Sequence, residues 1–374
     1  MDFLRSSAGP SSQQVKKNDV KTLSEKREKM PDNATDRPLV TFALFAYNQE
    51  EFIREAVEGA FAQTYEPLEI ILSDDFSSDR SYQIMQEMAA AYEGPHKIIV
   101  RSNTFNIGTA LHVQSAFAES EGQLFVLSAG DDISAPDRVR VLVDAWITAE
   151  SPEGAIHSGR ETFRNGQTVA IEPAKRYRFT DRVLEGYARG YWLPAAAPTC
   201  AYTRSVFERF APLLGGSIIE DLPLQLRAAL IGKFVACDQT LVRQRLHDES
   251  TGTGYNIDSP SRWNRFVISK AIALRTMQRD VASWQGEMDQ ALRRQIERKI
   301  LAGLHSASGL LLPETRPINL GTRLMLGVRI ATAPIITQSF PVRVAYALSF
   351  FKFDFHRRLY HRIRPWICWF QRVR

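Results

Sequence analysis

The amino-acid sequence predicts an α/β protein with a mostly parallel β-sheet and a helical C-terminal extension. Short apolar runs of strand length alternate with amphipathic helical segments, polar residues follow several of these runs, and the chain turns helical beyond residue 251. Strand–helix alternation implies right-handed crossovers, which bring the carboxyl ends of the strands to one edge of the sheet. We therefore expect a ligand site at that edge.

The predicted strands are short apolar runs bounded by polar residues. The segments between them carry apolar residues at helical spacing, and Asn48 and Ser78 or Asp79 are suitable N-cap residues. Strands are predicted at residues 39–46, 68–73, 97–101, 123–128, 233–237 and 241–246, and helices at 50–63, 78–92, 110–118, 222–230, 261–277 and 280–311.

Composition divides the chain into three parts. Residues 1–37 are polar, contain no apolar run typical of a signal peptide and cannot bury enough surface to offset their ordering entropy, so we expect them to be disordered. A catalytic domain is expected at 38–255 and a helical, basic region at 256–374. The three cysteines are far apart and odd in number, which favours a reducing, cytoplasmic location over a disulfide framework.

Positive charge is concentrated at the C terminus. Residues 351–374 contain seven Lys or Arg and one Asp, about +6, so the rest of the chain carries about −1 of the net +5. Aromatic residues interleaved with arginines suit the headgroup region of an anionic membrane, and the alternative is a helical cap with a solvated basic face. We expect peripheral attachment to the inner face of the cell membrane. No nucleic-acid fold signature accompanies the basic residues, so no nucleic-acid partner is expected.

Two carboxylates, Asp131 and Asp132, follow the fourth predicted strand. A nucleotide sugar carries a diphosphate that leaves with additional negative charge, and a divalent cation between carboxylates and phosphates offsets that charge. An isolated pair of this kind is also explained by a turn, with Asp132 beginning a loop and Pro136 opening the next helix. The pair alone does not decide between these two interpretations.

Polar residues follow two other strands of the predicted sheet. Tyr47 and Asn48 come after the first strand, and Asp74 and Asp75 come after the second. The second pair also matches a turn and N-cap sequence, whereas its functional interpretation is recognition of the base and ribose of a nucleotide. Because three strands deliver polar groups to one edge, the convergence favours a nucleotide site.

Several short motifs occur in a fixed order between residues 39 and 144. They are Tyr47-Asn48 with Glu50, Gln63-Thr64-Tyr65, Leu68-Glu69-Ile70-Ile71 leading into Asp74-Asp75 and Ser77, Asn106 with Gly108, and Asp131-Asp132 with Pro136 and Arg138. In this order and spacing, the segment resembles the nucleotide-sugar-binding half of family 2 glycosyltransferases. The resemblance implies the Rossmann-like glycosyltransferase A fold.

The resemblance also implies an activity: inverting, metal-dependent transfer of a sugar from a UDP- or dTDP-sugar to a saccharide or lipid-linked saccharide. Cell-surface polysaccharide synthesis is the expected setting. In the implied site, Asp75 contacts the base, Asp131 lies near the ribose and diphosphate, and Asp132 holds Mn²⁺ or Mg²⁺. The implied donor-binding residues are Ala46, Tyr47, Asn48, Glu50, Asp75 and Asp131.

Two further candidates lie beyond this stretch. An inverting transferase needs a carboxylate that takes the proton of the acceptor hydroxyl. In the family this base is usually the Asp of a Glu-Asp pair that opens a helix, which implies Asp221 beside Glu220, although the pair is also explained as a helix cap. The resemblance implies a metal or donor-diphosphate contact for His247, whereas a lone histidine is more often structural.

The chain departs from the family pattern at three places. Phe45-Ala46 stands where many members have Pro-Thr or Pro-Ser, Leu111-His112-Val113-Gln114 replaces Ala-Arg-Asn, and Ala129 replaces a further Asp. One carboxylate fewer near the metal leaves open a non-catalytic nucleotide-sugar-binding or assembly protein. A nucleotidyltransferase is a second alternative, but the glycine-rich, basic loop usual for such enzymes does not follow the first strand.

Overall fold

The computed structural model describes residues 37–174, 183–189, 195–247 and 260–310. The expected disordered segment, except its last residue, and the basic tail from residue 351 lie outside these residues. The expectations for both segments therefore stay predictions.

The described strands form one mixed β-sheet. In chain order they are β1 (Val40–Ala46), β2 (Leu68–Asp74), β3 (Lys97–Ser102), β4 (Leu124–Ala129), β5 (Ile133–Ser134), β6 (Gly154–Arg164), β7 (Gln167–Glu172), β8 (Cys200–Thr203) and β9 (Lys233–Arg245). Across the sheet the order is β3-β2-β1-β4-β8-β6-β9-β5, and β7 pairs with β6.

Helices connect and cover these strands. They are α1 (Ile53–Phe61), α2 (Ser81–Ala90), α3 (Thr109–Ala118), α4 (Arg138–Thr148), α5 (Val183–Ala188), α6 (Ser205–Glu208), α7 (Asp221–Ile231), α8 (Pro260–Ser283) and α9 (Gln290–Leu310), with a 3₁₀ turn at Ala197–Thr199.

The first four strands confirm the predicted parallel sheet. β1 lies between β2 and β4, β2 pairs with β3, and all three pairings are parallel, with Val40 aligned to Leu68 and to Leu124. Each strand lies within one residue of its predicted bounds. Every residue of β2 is buried, as expected of a parallel strand covered on both faces. The carboxyl ends of these strands therefore meet at one edge, as the sequence predicts.

The later half of the sheet differs from the prediction. The two strands predicted at 233–237 and 241–246 are one strand, β9, whose register against β6 shifts between His157 and Gly159 and again between Gly159 and Arg160. Its middle residues are exposed, so the sequence pattern resembles two separate runs. Strands β5 and β8 are only two and four residues long, and β7 is largely exposed, so none of them produces a clear apolar alternation.

Helices α5, α7, α8 and α9 enclose a second apolar core, which includes Leu226, Trp263, Met277 and Ile296. The prediction placed the break between the last two helices near residue 279, whereas α8 continues to Ser283. Among the described residues, no helix has the length and apolar character needed to cross a membrane.

The end of α8 is held by a side chain from the start of α9. The guanidinium of Arg293 donates to the carbonyl oxygens of Val281 and Trp284, both at 2.7 Å. These bonds link the start of α9 to carbonyl groups at the end of α8, where the Val281 carbonyl also accepts from the amide of Trp284 at 3.4 Å.

Candidate active site at the carboxyl edge of the sheet

The loop after β1 is fixed to the loop after β2 by Asn48. Its amide N–H donates to Oγ of Ser77 at 2.9 Å, and its side-chain Oδ1 accepts from the amide of Ser78 at 2.8 Å. Asn48 has a φ of 52°, in the left-handed region that asparagine tolerates better than most residues. The side-chain oxygen of Asn48 therefore joins two loops of the candidate site.

Glu50 extends the same connection. Its Oε2 accepts from the amide of Arg80 at 2.9 Å, and its own amide donates to Oδ2 of Asp79 at 2.9 Å. Tyr47, in contrast, is 48% exposed at the end of β1. Glu50 thus shapes the edge of the site, whereas the ring of Tyr47 is available to a ligand.

Asp75 organises a third loop. Its Oδ1 accepts from Nδ2 of Asn103 at 2.7 Å and from the amide of Ile107 at 3.0 Å, and its Oδ2 accepts from the amide of Gly108 at 2.9 Å. Gly108 has a φ of 78°, which favours glycine there. The Asp75 amide also donates to the carbonyl of buried Ala46 at 2.9 Å. Three of the roughly four acceptor positions of this carboxylate are used inside the chain.

The loop after β4 passes close to the loop after β1. The amide of Gly130 donates to the carbonyl of Phe45 at 2.8 Å. A Cβ at Gly130 would lie 2.5 Å from Oε1 of Gln49 and 3.1 Å from the Phe45 carbonyl oxygen, so a larger residue would displace the Gln49 side chain and press on the β1 backbone. This close approach places Asp131 beside the loop that carries Tyr47 and Asn48.

The structure brings together the three residues predicted near the diphosphate and metal. Nε2 of His247 lies 3.0 Å from Oδ2 of Asp131, and Oδ1 of Asp132 accepts from the amide of Arg245 at 2.9 Å. Strand β5 pairs antiparallel with β9, which aligns Ile133 with Arg243 and brings the end of β9 to the acidic pair. The antiparallel pairing of a two-residue strand thus builds the cluster.

Asp132 is buried with one oxygen unsatisfied. The residue is 2% exposed, and among the described residues its Oδ2 has no hydrogen-bond partner. Burial and the adjacent Asp131 raise the pKa of Asp132 well above its ordinary value. A buried carboxylate beside a second acid is a costly arrangement unless a cation accompanies it.

The acidic cluster fits a divalent cation that shares its ligands with a diphosphate. Within the part of the chain that the structure describes, no group of three or more His, Cys, Asp or Glu side chains could hold a metal ion by itself. Mg²⁺ in nucleotide sites needs only one or two protein carboxylates, because phosphates and water supply the rest. Asp132, with the Asp131–His247 pair beside it, offers that number of ligands.

Two arginines support the acidic pair: Arg138, which belongs to the motif of the pair, and Arg245, which no motif indicates. Nε of Arg245 donates to the Asp131 carbonyl at 3.1 Å, and its Nη2 contacts Oε2 of Glu55 at 3.0 Å. Fully buried Arg138 donates to the Ser134 hydroxyl and, at 2.7 Å, to the carbonyl of Leu127. The loop that carries Asp131 and Asp132 is therefore held by Arg245 of β9 and by Arg138 of α4.

Glu220 and Asp221 lie where α7 begins, with Glu220 as the N-cap residue. Both remain partly exposed, although surrounding protein desolvates them and raises their pKa, that of Glu220 to about 8. The charge of Arg160 on β6 acts on both Asp221 and Asp132. The Arg160 guanidinium, which donates to Glu172 and Gln244, thus favours the ionised form of both carboxyls.

The predicted residues form three groups at this edge. The first carries Ala46, Tyr47, Asn48, Glu50 and Asp75, the second carries Asp131, Asp132 and His247, and the third carries Asp221. The Gly130 contact joins the first two groups, and the charge of Arg160 acts on a carboxyl of the second group and on that of the third.

Comparison with known sequences identifies the strand-rich part of the chain. Residues 41–210 match the model for glycosyl transferase family 2. An uncharacterized protein of Mycobacterium tuberculosis is 40% identical over 239 residues, which are 62% of this chain and 66% of that protein. Probable glycosyltransferase YdaM of Bacillus subtilis is 23% identical over 261 residues, 67% of this chain and 61% of YdaM.

Solved structures show the same fold. Staphylococcus aureus TarS 1–349 in complex with UDP-GlcNAc matches with a TM-score of 0.52 and 14% identity, over 82% of this chain and 83% of that chain. TarS 1–349 with UDP matches with a TM-score of 0.51 and 15% identity, over 87% and 91%. The family match and the motifs within it identify residues 41–210 as a glycosyl transferase family 2 segment, and the shared fold is the glycosyltransferase A fold.

Proposed function

We propose that the protein is an inverting, divalent-cation-dependent glycosyltransferase that uses a UDP- or dTDP-sugar. The acceptor would be a saccharide or a lipid-linked saccharide, in polysaccharide synthesis at the inner face of the cell membrane. One observation carries the proposal: the buried, unsatisfied Oδ2 of Asp132 beside the Asp131–His247 pair, at the carboxyl edge of the parallel strands. Ligands of α/β sheets bind at that edge.

The donor would lie across the first two groups of residues. The exposed ring of Tyr47 suits stacking against a base, and Asn48, Glu50 and Asp75 hold the surrounding loops in place. The diphosphate would approach Asp131, Asp132 and His247. A cation held there would offset the negative charge that develops on the leaving diphosphate.

Asp221 would act on the acceptor. The acceptor oxygen attacks the anomeric carbon from the face opposite the diphosphate, and the carbon–oxygen bond to the diphosphate breaks with its electron pair on the leaving oxygen. The acceptor hydroxyl proton passes to the Asp221 carboxylate as the new bond forms. The configuration of the anomeric carbon is inverted. Asp221 lies beyond the segment that matches the family model, so its role depends on the arrangement described above.

A non-catalytic nucleotide-sugar-binding protein is the second candidate. Ala129 favours it, because the end of β4 provides one carboxylate fewer than many family members have. Such a protein would bind a donor without releasing a nucleoside diphosphate from it, with any acceptor.

A donor screen by thermal unfolding tests the proposal. The full-length protein is heated with UDP-GlcNAc, UDP-glucose, a dTDP-sugar or a GDP-sugar, each with Mn²⁺ or with EDTA. UDP-GlcNAc is the first choice because TarS, which shares the fold, has been solved with it. A ligand that binds the folded state at a hundred times its Kd stabilises it by about 2.7 kcal/mol. We expect such a shift for a UDP- or dTDP-sugar, larger with Mn²⁺ than with EDTA.

Release of the nucleoside diphosphate is then measured in the presence of a mixture of acceptors. This measurement distinguishes the transferase from the non-catalytic binding protein. Turnover supports the transferase, and donor binding without turnover supports the binding protein. If none of these donors changes the unfolding temperature, the nucleotide-sugar proposal is wrong.

Membrane association is tested with the full-length protein and vesicles. We expect sedimentation with vesicles that contain anionic lipids, weaker binding in high salt, and none with neutral vesicles, because attraction of a basic segment is screened by salt. Equal binding to neutral and anionic vesicles would contradict this part of the proposal.

A further inference from the structure

The most exposed aromatic side chains of the described residues lie on three loops of the candidate site. Tyr47, Phe76 and Phe105 are 48%, 55% and 63% exposed, and every other Phe, Tyr or Trp that the structure describes is buried or half-buried. The three residues follow β1, β2 and β3, which are parallel, so they lie at the carboxyl edge of the sheet. A group of exposed apolar rings at one edge is typical of a ligand or interaction site.

Tyr47 and Phe76 occupy matching positions on two adjacent loops. One hydrogen bond of 2.9 Å joins the residues that precede them, from the amide on the β2 side to the carbonyl on the β1 side. A second of 2.9 Å joins the residues that follow them, from the amide of Asn48 to Oγ of Ser77. Because each aromatic residue lies between the same two connections, the distance between their backbones is fixed.

The backbone of Phe76 is strained. Its φ of 62° lies in the left-handed region, where a bulky side chain is an outlier and glycine is favoured. Such a conformation persists only where surrounding contacts impose it. Here Oδ2 of Asp74 accepts from the amide of Ser77 at 2.9 Å on one side of Phe76, and Asp75 is held by its three hydrogen bonds on the other side.

Strain and exposure together distinguish Phe76 from a residue that packs in a core. A ring that is 55% exposed gains little from burial, whereas its backbone conformation is one that glycine adopts more easily. Local choices that oppose stability in this way concentrate at ligand-binding and catalytic sites. Phe76 also comes immediately after Asp75, where the proposed function places the nucleobase.

We infer that the ring of Phe76 stacks on the nucleobase of the sugar donor, so that the base lies between Tyr47 and Phe76. The inference rests on the proposed function and deepens it, because it adds a second stacking residue to the donor site. Stacking on an aromatic ring accepts any planar base, so Phe76 supplies affinity. The acceptor position that Asp75 retains beside it then selects a base that carries a ring N–H.

The order of the strands supports a nucleobase at this position rather than an acceptor sugar. Strand β1 lies between β2 and β4, and the acidic pair Asp131–Asp132 follows β4. A donor whose diphosphate lies at the acidic pair and whose nucleoside extends across β1 therefore brings its base to the loops after β1 and β2. Those are the loops that carry Tyr47 and Phe76.

The first experiment measures calorimetric binding of UDP with Mn²⁺ to full-length wild type, Phe76→Gly, Phe76→Trp and Glu150→Gly. UDP carries the base without the sugar, so turnover does not affect the result; dTDP or GDP replaces it if either binds wild type more tightly. We expect Kd for Phe76→Gly to rise about five- to a hundredfold, the range for the loss of one stacked base. Phe76→Trp should bind about as tightly as wild type, because it keeps an aromatic face. A wild-type Kd in Phe76→Gly would overturn the inference.

Glu150→Gly is the matched control. Glu150 is also an exposed residue in the left-handed region, with a φ of 69°, between α4 and β6. Strands β4 and β6 both pair antiparallel with β8, so β6 begins at the opposite edge of the sheet from the candidate site. We expect this variant to leave Kd for UDP unchanged. An increase as large as that in Phe76→Gly would show a general effect of glycine and would contradict a specific role for Phe76.

A second experiment needs no ligand. Unfolding temperatures of wild type, Phe76→Gly and Glu150→Gly are measured in EDTA at pH 7. We expect both glycine variants to unfold at the wild-type temperature or above it, because each relieves a left-handed backbone and neither removes a buried side chain. A clearly lower unfolding temperature for Phe76→Gly than for Glu150→Gly would show that the ring supports the fold, and would contradict the inference.

The outcomes separate this inference from the proposed function. If wild type binds none of UDP, dTDP and GDP, the proposed function fails, and the inference fails with it. If wild type binds a nucleotide and Phe76→Gly binds it equally well, the inference alone fails. In that case a raised KM for the acceptor in Phe76→Gly would assign the ring to the acceptor instead.

Discussion

Nε2 of His247 lies 3.0 Å from Oδ2 of Asp131, although 116 residues separate them in the sequence. The contact closes the candidate donor site between the end of β4 and the end of β9. It exists because β5, only two residues long, pairs with β9 immediately after the acidic pair.

We expect His247→Ala to raise the Mn²⁺ concentration for half-maximal activity by about ten- to a hundredfold, the usual cost of losing a partner that orients a metal ligand. Titration of activity with Mn²⁺ measures this. His305→Ala, an exposed histidine on α9, is the control and should leave the curve unchanged. Identical curves for His247→Ala and wild type would remove His247 from the metal site.

Asp132→Asn should stabilise the metal-free protein at pH 8. The pKa of the buried Asp132 carboxyl is raised in the folded state, so the stability it contributes is present at low pH and is lost as pH rises towards that folded-state pKa. An amide avoids this penalty, and its oxygen can still accept from the Arg245 amide. Thermal unfolding in EDTA at pH 5 and pH 8 checks the prediction. A variant that is less stable than wild type at pH 8 would contradict it.

Asp75→Asn should lower the free energy of unfolding by about 1–3 kcal/mol. The carboxylate of Asp75 accepts three hydrogen bonds, from the Asn103 side chain and the amides of Ile107 and Gly108. The NH₂ group of the substituted side chain would face at least one of these donors. Asn103→Ala removes one of these bonds and should cost about 0.5–1.5 kcal/mol. Denaturant unfolding measures both. Equal and negligible losses would show that Asp75 does not organise the loop.

Tyr47→Ala should weaken donor binding by about 1–3 kcal/mol, the range of a base stacked on an aromatic ring. Calorimetric titration with a UDP-sugar and Mn²⁺ gives the change in Kd. Ile171→Ala is the control, since Ile171 is also a highly exposed large apolar residue, at 65%, and lies on β7. The same loss in both variants, or none in Tyr47→Ala, would argue against stacking on Tyr47.

The strands β1, β2 and β4 are predictable from the sequence because parallel strands buried on both faces appear as short apolar runs, and the half-buried strand β3 keeps an apolar run at Ile98–Val100. Their carboxyl ends then locate Tyr47, Asp75 and Asp131 at one edge. The later strands are different. Strand β9 runs through exposed residues, and β5 is two residues long, so their pairing depends on tertiary contacts that no local pattern records.

The same reasoning explains which site features the sequence misses. Arg245 and Arg160 lie on strands whose register is set by those contacts. The hydrogen bonds that Asp75 accepts cannot be predicted from the sequence either, because they form only when the Asn103–Gly108 loop has folded onto Asp75. Motifs therefore indicate the ligand class, whereas the surrounding charges emerge only from the fold.

In the proposed reaction, the acidic pair supports sugar transfer from a nucleotide donor. The most direct measurement is the initial rate of nucleoside diphosphate release, with Mn²⁺ and the donor and acceptor found in the screen, for wild type, Asp132→Asn and Asp137→Asn. Asp137 is an exposed acid near the start of α4 that pairs with Arg140 at 3.1 Å. We predict a rate at least about a hundredfold lower for Asp132→Asn, corresponding to about 2.7 kcal/mol of transition-state stabilisation, and an unchanged rate for Asp137→Asn. A wild-type rate in Asp132→Asn would contradict the account.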